Sequence, residues 1–413
     1  MSKKHKKTAI VLGGTNPHIE LIKQLQLRGY YTILLDYLDN PVAKPYADLH
    51  IQESTMDPEG VLEAAKQYHA DVVITACVDQ ANITACYVAE KLGLTKPYSY
   101  ETAKRITNKA EMKKAMIEHG IPTTKYIYID HDQNVNMFKL TYPVMVKPAD
   151  SYGTSGVKKA NSIRELEEHL AFAKKVSRSG RAVVEEFFQG IEISAYIIVK
   201  NRRAHIIMIS ERLSVTEGEG QVIKCYATVT PPLISDVAKK KIEEAANGIV
   251  EAFDLDNTPL HVQALVQGDE IDIIEFAARV AGGISYQTIK QNTGMDMITA
   301  AIDSYLEKEI ILTNHSPLKY YAVNLIYGQN GIYNHIEGMD NLLNHGIVDD
   351  IHYYRNKGSK ITQDRANDCR IAAFITSGDS REELHDKAVK SFKSLTVVGE
   401  DGRDLTRRDL ILR

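Results

Sequence analysis

The sequence lacks several features that would assign it quickly to a class. Its 413 residues include only four cysteines, and no two of them have CxxC spacing. Scattered cysteines of this kind indicate reduced thiols in a cytoplasmic protein rather than a disulfide framework. Internal repeats and low-complexity segments are also absent. The four cysteines are Cys77, Cys86, Cys225 and Cys369.

The chain also has little net charge, and its first apolar run is short. The basic start, residues 1–7, is followed by an apolar run of only Thr8–Leu12, which is too short for a signal-peptide core or a spanning helix. We expect this start to be a solvated tail that leads into a strand. The net charge of −4 predicts neither nucleic-acid binding nor attraction to a membrane.

Two common nucleotide-binding motifs are missing as well. The first apolar strand ends in Gly13-Gly14, but residues 13–18 do not read G-x-G-x-x-G, so we expect no nicotinamide cofactor. A tight strand-to-helix turn and a ligand loop are about equally compatible with these glycines. A second glycine-rich segment, at residues 151–156, does not have the spacing of a Walker A motif.

The composition is otherwise that of a globular protein of two to four compact units, with 44% hydrophobic and 25% charged residues. In the first unit, strand-like runs at 8–15, 32–36 and 71–75 alternate with helical patterns, one of which ends near Gly93. Strands that alternate with helices predict a parallel, doubly wound sheet.

The most informative stretch is residues 261–279. Two alternating runs flank Gly268-Asp269, a pattern that predicts a β-hairpin with Gln263 opposite Glu275. Since successive strand residues face opposite ways, Glu275 and Arg279 share one face. A carboxylate and a guanidinium so placed indicate a site for a metal and an anion. The alternative is an exposed strand with an incidental charge pair.

Two earlier stretches offer groups for phosphates. Residues 108–122 have the pattern of an amphipathic helix that stops at Gly120, and Lys109 lies at its start. A β-rich run carries Lys147 and is followed by a loop whose backbone N–H groups and hydroxyls suit phosphate oxygens. A solvated lysine and a surface hairpin loop are the alternatives. The loop residues are Ser151, Gly153, Thr154, Ser155 and Gly156.

Residues 181–199 offer groups for a nucleoside. An apolar strand ends in Glu185-Glu186, a turn follows at Gln189-Gly190, and a long alternating strand begins at Glu192. Adenine needs an apolar slot with polar acceptors, and a ribose needs a carboxylate for its hydroxyls. The alternative is a strand edge protected by charge.

Less regular segments supply weaker candidates. Glu211 and Arg212 lie in a polar segment between two strand patterns and could select a substrate, although a solvated loop is the alternative. In the C-terminal part we expect strands at 320–327 and 369–376, and a helix capped by Ser380. Arg355 and Arg370 could bind a substrate carboxylate, although surface arginines are commoner.

Taken in order, these segments resemble the ATP-grasp superfamily, and in particular its carboxylate–amine ligases, such as L-amino-acid ligases, glycinamide ribonucleotide-type ligases and biotin carboxylase. The resemblance lies in residues 144–157, 183–193, 261–283 and 294–296. It implies a mixed α/β and α+β architecture, the ATP-grasp fold. A Rossmann-like domain would span 1–105, an ATP-grasp domain 106–310 with its lid at about 120–183, and a small α+β domain 311–413.

The resemblance also implies a role for each nucleotide-binding residue. Lys109 and Lys147 look like the two lysines that hold ATP phosphates, and residues 151–156 like the loop that closes over them. Glu185 resembles the glutamate at the adenine amino group. Glu192 matches the ribose-binding glutamate. The segment at the adenine edge is Glu186, Phe187 and Phe188.

The reacting centre follows from the same resemblance. Glu275 matches the second metal-binding glutamate, and Arg279 matches the arginine that stabilises the acyl phosphate, so Arg279 and Lys147 are the expected catalytic residues. Gly282-Gly283 resembles the turn beside the carboxylate substrate. The first metal glutamate of the family is replaced by Gln263, whose amide oxygen can ligate Mg²⁺ but brings no charge. One metal held by Glu275 and the phosphates is therefore expected.

These roles imply ATP and Mg²⁺ as cofactors and a small carboxylate and an amine as substrates, joined through an acyl phosphate. A homodimer is a further expectation, because the family often dimerises. Two alternatives stay open. One is a purine-pathway or carboxylase-like relative with another acceptor, although no biotin attachment segment occurs. The other is a non-catalytic ATP-binding protein, which Gln263 favours and the retained lysines, Glu275 and Arg279 disfavour.

Overall fold

The protein is described here as a computed structural model, which covers residues 6–130, 141–149, 156–177, 179–217, 222–313, 319–363 and 366–411. Within these residues no helix is both long enough and apolar enough to cross a bilayer.

The N-terminal unit is a parallel sheet in the order β3-β2-β1-β4 with helices around it. The predicted doubly wound sheet is confirmed, and one strand, β3, was missed. Strands β1 and β4 are fully buried because both faces of the sheet are covered, as the continuous apolar run of β1 requires. The elements are β1 Thr8–Leu12, α1 Asn16–Leu27, β2 Tyr31–Asp36, β3 Leu49–Gln52, α2 Pro58–Gln67, β4 Val72–Ile74, α3 Asp79–Leu92 and α4 Tyr100–Thr107, with a 3₁₀ turn at Lys44–Tyr46.

The glycines after β1 form a packed turn. Gly14 N–H donates to Asp36 Oδ2 at 2.7 Å, and a Cβ at Gly14 would lie 2.5 Å from Cβ of Pro41. Gly13 has φ +100°, which other residues rarely adopt. Both glycines are therefore needed for the tight strand-to-helix turn, which was one of the two interpretations open from the sequence.

A small antiparallel sheet in the order β5-β8-β6-β7, covered by α6, lies in the segment that is expected to form the lid. Apolar residues of α6, among them Leu166 and Leu170, share a core with Val144, Val146 and Val184 of the sheet. The helix α5 precedes it, as the sequence pattern predicts, and the structure shows that Asn108 caps its N-terminus. The elements are α5 Lys109–Glu118, β5 Tyr126–Ile129, β6 Val144–Pro148, β7 Lys158–Ala160, α6 Ile163–Val176 and β8 Ala182–Glu186.

An eight-stranded sheet in the order β13-β12-β9-β10-β11-β14-β18-β16 forms the body of the molecule. One face packs on α7 through apolar residues such as Ile193, Ala195 and Val262, whereas α8 contacts the other face. The second face also carries the polar side chains of the site. The elements up to residue 310 are β9 Ile191–Lys200, β10 Arg203–Glu217, β11 Val222–Thr230, α7 Asp236–Ala252, β12 Thr258–Gln267, β13 Glu270–Ala277, α8 Ser285–Thr293 and α9 Met297–Tyr305.

The C-terminal part adds three strands to this sheet. Strand β14 pairs with β11, β18 pairs with β14, and β16 pairs with β18. A second sheet, β17-β15-β19, lies apart from it. The predicted helix after Ser380 is present, and Ser380 Oγ accepts from Glu383 N–H. The elements are β14 Tyr320–Tyr327, β15 Gly331–Glu337, α10 Met339–Asn344, β16 Asp350–Tyr353, β17 Lys360–Ile361, β18 Arg370–Gly378, α11 Arg381–Ser394 and β19 Thr396–Gly399, with a 3₁₀ turn at Arg408–Leu410.

Candidate active site

A cleft lies between α5, strands β6 and β8 of the small sheet, and β13 at the edge of the large sheet. It brings together four residues that the sequence singled out from stretches far apart in the chain. Each comes from a different element, so their convergence is a property of the fold rather than of any local motif. The lining residues are Lys109, Met112, Lys113, Lys147, Val183, Glu185, Ile274 and Glu275.

The lid side of the cleft is built around the buried carboxylate of Glu185. Lys147 Nζ donates to its Oε2, and Lys113 Nζ lies 3.4 Å from its Oε1. Lys113 also donates to Thr123 Oγ1 at 2.6 Å and to Thr124 Oγ1 at 3.1 Å. Only 5% of the Lys113 side chain and 6% of the Glu185 side chain are exposed. One carboxylate therefore holds two lysines at the rim of the cleft.

The two lysines keep Glu185 ionised despite its burial. Burial raises the pKa of this carboxyl, but the charges of Lys147 and Lys113 lower it further, to about 2 against an ordinary 4.5. The group is thus a carboxylate at neutral pH. The sequence resemblance predicts that Glu185 binds the adenine amino group, and that role stays a prediction. The structure shows in addition that Glu185 forms ion pairs with the two lysines.

Replacing Glu185 with glutamine is expected to change how stability depends on acidity. Because the pKa of Glu185 is lowered in the folded protein, its contribution is present above pH 4.5 and is lost as the pH falls towards 2. That contribution is on the order of 3 kcal/mol. We expect the variant to unfold more easily at pH 7 and to lose less stability between pH 4.5 and 3.

Urea unfolding at pH 7, 4.5 and 3 would measure this effect. The exposed Glu251→Gln variant serves as the control, since Glu251 lies on the solvent side of α7. An unchanged pH slope in the Glu185→Gln variant would show that the Glu185 carboxylate is not the group that the two lysines hold ionised.

The opposite side of the cleft is the predicted hairpin, which is confirmed. Gln263 of β12 pairs with Glu275 of β13, as expected, and a bulge follows between Gln263 and Ala264. Gln263 Nε2 donates to Glu192 Oε1 at 3.2 Å. The carboxylate of Glu275 forms no hydrogen bond or ion pair with any described residue, although it lies within electrostatic reach of Arg279.

The donor set on this side suits one hard cation better than two. Glu275 offers a carboxylate without a partner among the residues described, and the amide oxygen of Gln263 is directly across the strand pair. No group of three or more His, Cys, Asp or Glu side chains in the described parts of the chain could hold a metal by itself. A Mg²⁺ ion would therefore need oxygens from outside the protein, as Mg²⁺ sites that include phosphates have.

Glu211 and Arg212, the two substrate candidates, are adjacent in β10, so their side chains lie on opposite faces of the sheet. Glu192 lies on the same face as Arg212. Arg212 Nε lies 2.6 Å from Glu192 Oε1, on the face that carries Gln263. Glu211 points the other way and pairs with Arg381 of α11 at 2.9 Å. Arg212 thus contacts Glu192, whereas Glu211 contacts the C-terminal part; the substrate role suggested for each of them stays a prediction.

Arg279 lies just beyond β13 and is held in one orientation. Its Nε and Nη2 donate to the two oxygens of Asp79 at 2.7 and 2.8 Å, and its Nη1 donates to Val280 O at 3.0 Å. Asp79 is the first residue of α3, in the N-terminal unit. Burial lowers the pKa of Arg279, but Asp79 outweighs it and the net pKa is raised. The guanidinium is therefore a fixed positive charge near Glu275.

The glycines that the resemblance assigned to substrate and phosphate differ in their surroundings. A Cβ at Gly282 would meet open space, whereas Gly283 has φ +75° and its Cβ would lie 3.5 Å from Tyr354 Oη. Gly156 has φ +77° and closely approaches Pro148. The remaining loop residues, Ser151, Gly153, Thr154 and Ser155, lie outside the described residues.

The predicted adenine edge follows β8. Glu186 N–H donates to Lys125 O and Phe187 N–H donates to Pro143 O, each at 3.0 Å. The ring of Phe187 is 36% exposed and has Lys159 Nζ 4.0 Å from its centre. Phe188 follows without regular structure and packs near Gly190. The segment is thus fixed by its backbone and keeps an aromatic side chain at the surface.

Sequence reasoning missed Lys113 and Asp79. Lys113 falls among Met112, Ala115 and Met116 in the buried stripe of α5, and a lysine within an apolar stripe is the signal that could have found it. Asp79 had no comparable signal, since it is 200 residues from Arg279 in the sequence.

Comparison with known proteins gives a matching picture. Residues 140–287 match the family described as the ATP-grasp domain. The chain is 28% identical over 186 residues to formate-dependent phosphoribosylglycinamide formyltransferase of Ignicoccus hospitalis, which covers 44% of this chain and 46% of that protein. It is 26% identical over 238 residues to alanine–anticapsin ligase of Bacillus subtilis, covering 52% and 49%.

The structural similarity to known proteins extends over more of the chain than the sequence similarity does. The crystal structure of an L-amino acid ligase from Bacillus licheniformis superimposes with a TM-score of 0.79 and 20% identity, covering 96% of this chain and 100% of that one. The chain spans about half the length of the two curated relatives named above. The resemblance noted from the sequence is confirmed: residues 140–287 match the ATP-grasp domain, and the chain has the fold of that L-amino acid ligase.

Proposed function

We propose that this protein is an ATP-dependent ligase that activates a small carboxylate as an acyl phosphate and couples it to an amine, with release of ADP and phosphate. The observation that carries the proposal is the cleft in which Lys109, Lys147 and Glu275 meet, with Arg279 beside it. Phosphoryl transfer depends mainly on positioning and on neutralising charge, and these groups can do both.

The nucleotide would lie between the lid and the large sheet. Lys109 and Lys147 would contact its phosphates, while Glu185, with Glu186 to Phe188, would contact the adenine. Glu192 would bind the ribose if its carboxylate exchanged part of its bonding to Arg212 for the ribose hydroxyls. Mg²⁺ bound by Glu275 and the amide oxygen of Gln263 would neutralise charge on the transferred phosphoryl group.

The reaction would proceed in two displacements. A carboxylate oxygen attacks the γ-phosphorus of ATP, the bond to ADP breaks, and ADP leaves with the electron pair. The amine nitrogen then attacks the acyl carbon, phosphate leaves, and the nitrogen loses a proton to solvent. Arg279 and the Gly282-Gly283 turn would hold the reacting carboxylate. The loop at 151–156 would exclude water, which otherwise hydrolyses an acyl phosphate.

The identities of the two substrates are proposed at the level of chemical class. The likeness to an alanine–anticapsin ligase favours amino acids as carboxylate and amine. The likeness to a formate-dependent formyltransferase favours a second candidate, in which a smaller acid is transferred to a purine-pathway amine. In either case we propose small-molecule partners and, since the four cysteines are free, a cytoplasmic setting.

The proposal is tested by measuring ADP and phosphate release from Mg-ATP with pairs of amino acids, and with formate or bicarbonate plus amines. Products are identified by mass spectrometry. A product lighter than its two substrates by one water, formed only with ATP, would establish the ligase and decide between the two candidates. Tight ATP binding without release for any pair would overturn the proposal and favour a non-catalytic ATP-binding protein.

A further inference from the structure

The segment that carries Arg279 is held by the N-terminal unit at two neighbouring residues. Strand β13 ends at Ala277, and Arg279 N–H donates to Ala277 O at 2.9 Å, so the chain bends sharply as it leaves the sheet. The guanidinium of Arg279 is held by Asp79. The carbonyl of the preceding residue, Ala278, accepts from Tyr98 Oη at 2.9 Å. The bend therefore has one contact on its side chain and one on its backbone.

The hydroxyl of Tyr98 belongs to a chain of three polar side chains. Tyr305 Oη, at the end of α9, donates to Asn82 Oδ1. Asn82 Nδ2 donates to Tyr98 Oη at 2.5 Å, which leaves the Tyr98 proton for Ala278 O. Only 4% of Tyr305 and 5% of Asn82 are exposed. Because the three groups donate in one direction, each bond strengthens the next, and removal of one member leaves a buried group without its partner.

Asn82 and Asp79 act from one side of α3. They are three residues apart in this helix, so their side chains are neighbours on its surface. Asp79 contacts the Arg279 guanidinium directly, whereas Asn82 acts on the Ala278 carbonyl through Tyr98. Contacts on two adjacent residues fix both the place of the bend and the direction in which the guanidinium points.

The geometry of this bend bears on the chemistry proposed for Arg279. Glu275 lies on β13 before the bend and Arg279 lies after it, so the bend sets the separation of the two groups. A group that stabilises a transition state must be in place before charge develops. A misplacement of about 1 Å can cost about 100-fold in rate.

We propose that Asn82 and Tyr98 are positioning residues for Arg279, so that α3 and the loop after it influence the rate of phosphoryl transfer through the arginine rather than through contact with a substrate. This inference rests on the proposed ligase function. It extends that function by including a backbone contact from the N-terminal unit among the features that determine the rate.

The variant Tyr98→Phe removes one hydroxyl and retains the ring. We expect kcat for ADP release to fall about 3- to 10-fold, the range of one neutral hydrogen bond. The KM for ATP should change about twofold or less, since Tyr98 is not among the described residues that line the cleft. Tyr305→Phe, at the far end of the chain of bonds, should give a smaller loss of kcat. Initial rates over a range of ATP concentrations measure both constants.

Tyr37→Phe is the matched control, because it removes the hydroxyl of a tyrosine that is 67% exposed. Thermal unfolding of each variant shows that the rates are compared between folded proteins. An unchanged kcat in Tyr98→Phe would mean that the Ala278 contact serves stability alone, and the positioning role would be overturned.

If Tyr98 acts through Arg279, its effect must depend on that residue. We expect Tyr98→Phe to change the rate of the Arg279→Ala variant about twofold or less, because that variant has no guanidinium to position. Single-turnover ADP release by the two single variants and the double variant measures this coupling. An equal loss in both backgrounds would show that Tyr98 acts independently of Arg279 and would overturn the inference.

Exchange of backbone N–H groups tests the positioning without turnover. The bond to Ala277 O protects Arg279 N–H, so a looser bend in Tyr98→Phe should speed its exchange about 3- to 10-fold. The amide of Ile273, within β13, should exchange at its normal rate, which separates local loosening from a general loss of stability. Hydrogen–deuterium exchange of overlapping peptides, measured by mass spectrometry with Mg-ADP present, reports both amides.

The two readouts separate this inference from the proposed function. If the unaltered protein released no ADP with any substrate pair, the ligase proposal would fail, and faster exchange at Arg279 in Tyr98→Phe would still support the positioning. An unchanged exchange rate at Arg279 would overturn the positioning even if the ligase assay succeeded.

Discussion

Replacing Arg279 with alanine is expected to lower ADP release by about 100- to 1,000-fold, the usual cost of losing one group that stabilises charge in a transition state. The guanidinium is fixed by both oxygens of Asp79 and by Val280 O, so it requires no reorientation when charge develops. Nucleotide binding should change little, because Arg279 does not line the cleft of Lys109 and Lys147. Initial rates of ADP release and calorimetric ADP binding measure the two effects.

Two control variants show whether a lower rate comes from loss of the Arg279 contacts or from loss of the fold. Arg279→Lys retains the charge but not the two-pronged contact with Asp79, so we expect an intermediate rate. Arg28→Ala removes another ion pair between distant elements, Arg28 with Asp303 at 2.6 Å, and should leave ADP release nearly unchanged. If Arg279→Ala released ADP at the normal rate with its substrates present, the catalytic role of Arg279 would be wrong.

Much of the site's local geometry could be predicted because it depends on short-range patterns. Alternation about Gly268-Asp269 predicts the hairpin, but the pairing of Gln263 with Glu275 also depends on the bulge between Gln263 and Ala264, which shifts the register by one residue. The helix beginning at Lys109 follows in the same way from its amphipathic pattern and its stop at Gly120. The missed strand, Leu49–Gln52, is short and only partly buried, so its apolar pattern is weak.

The parts that could not be predicted are long-range pairings of polar groups. Nothing local to Arg279 indicates that Asp79 holds it, and nothing local to Glu211 indicates that it faces Arg381 rather than the cleft. Arg212 and Glu211 are adjacent, and one residue of register decides which of them faces Glu192. The same reason applies to Arg370, for which the sequence allowed an ordinary surface arginine, whereas its guanidinium contacts the rings of Tyr327 and Tyr354.

Gln263 stands where the resemblance leads one to expect a first metal-binding glutamate, and it brings no charge. Glu275 should therefore contribute most of the protein's binding of Mg²⁺. Glu275 is the carboxylate on this side of the cleft without a partner among the described residues, so Glu275→Gln should remove the main protein ligand of Mg²⁺. A lost metal contact costs several kcal/mol of transition-state stabilisation, which corresponds to about 100- to 1,000-fold in kcat. We expect half-saturation by Mg²⁺ to shift to a higher concentration as well.

The converse variant, Gln263→Glu, tests whether the site is limited by charge. Its new carboxylate would lie directly across the strand pair from Glu275 and would lose the contact in which Gln263 donates to Glu192. Two like charges so close raise the affinity for a cation, so we expect half-saturation by Mg²⁺ to fall about 10-fold. Titration of ADP release with Mg²⁺ at fixed ATP measures it, with Gln267→Glu, at the far end of the same strand, as the control. If Gln263→Glu left the Mg²⁺ dependence unchanged while Glu275→Gln altered it, the metal would contact β13 alone, and the amide at position 263 would serve to hold Glu192 rather than the cation.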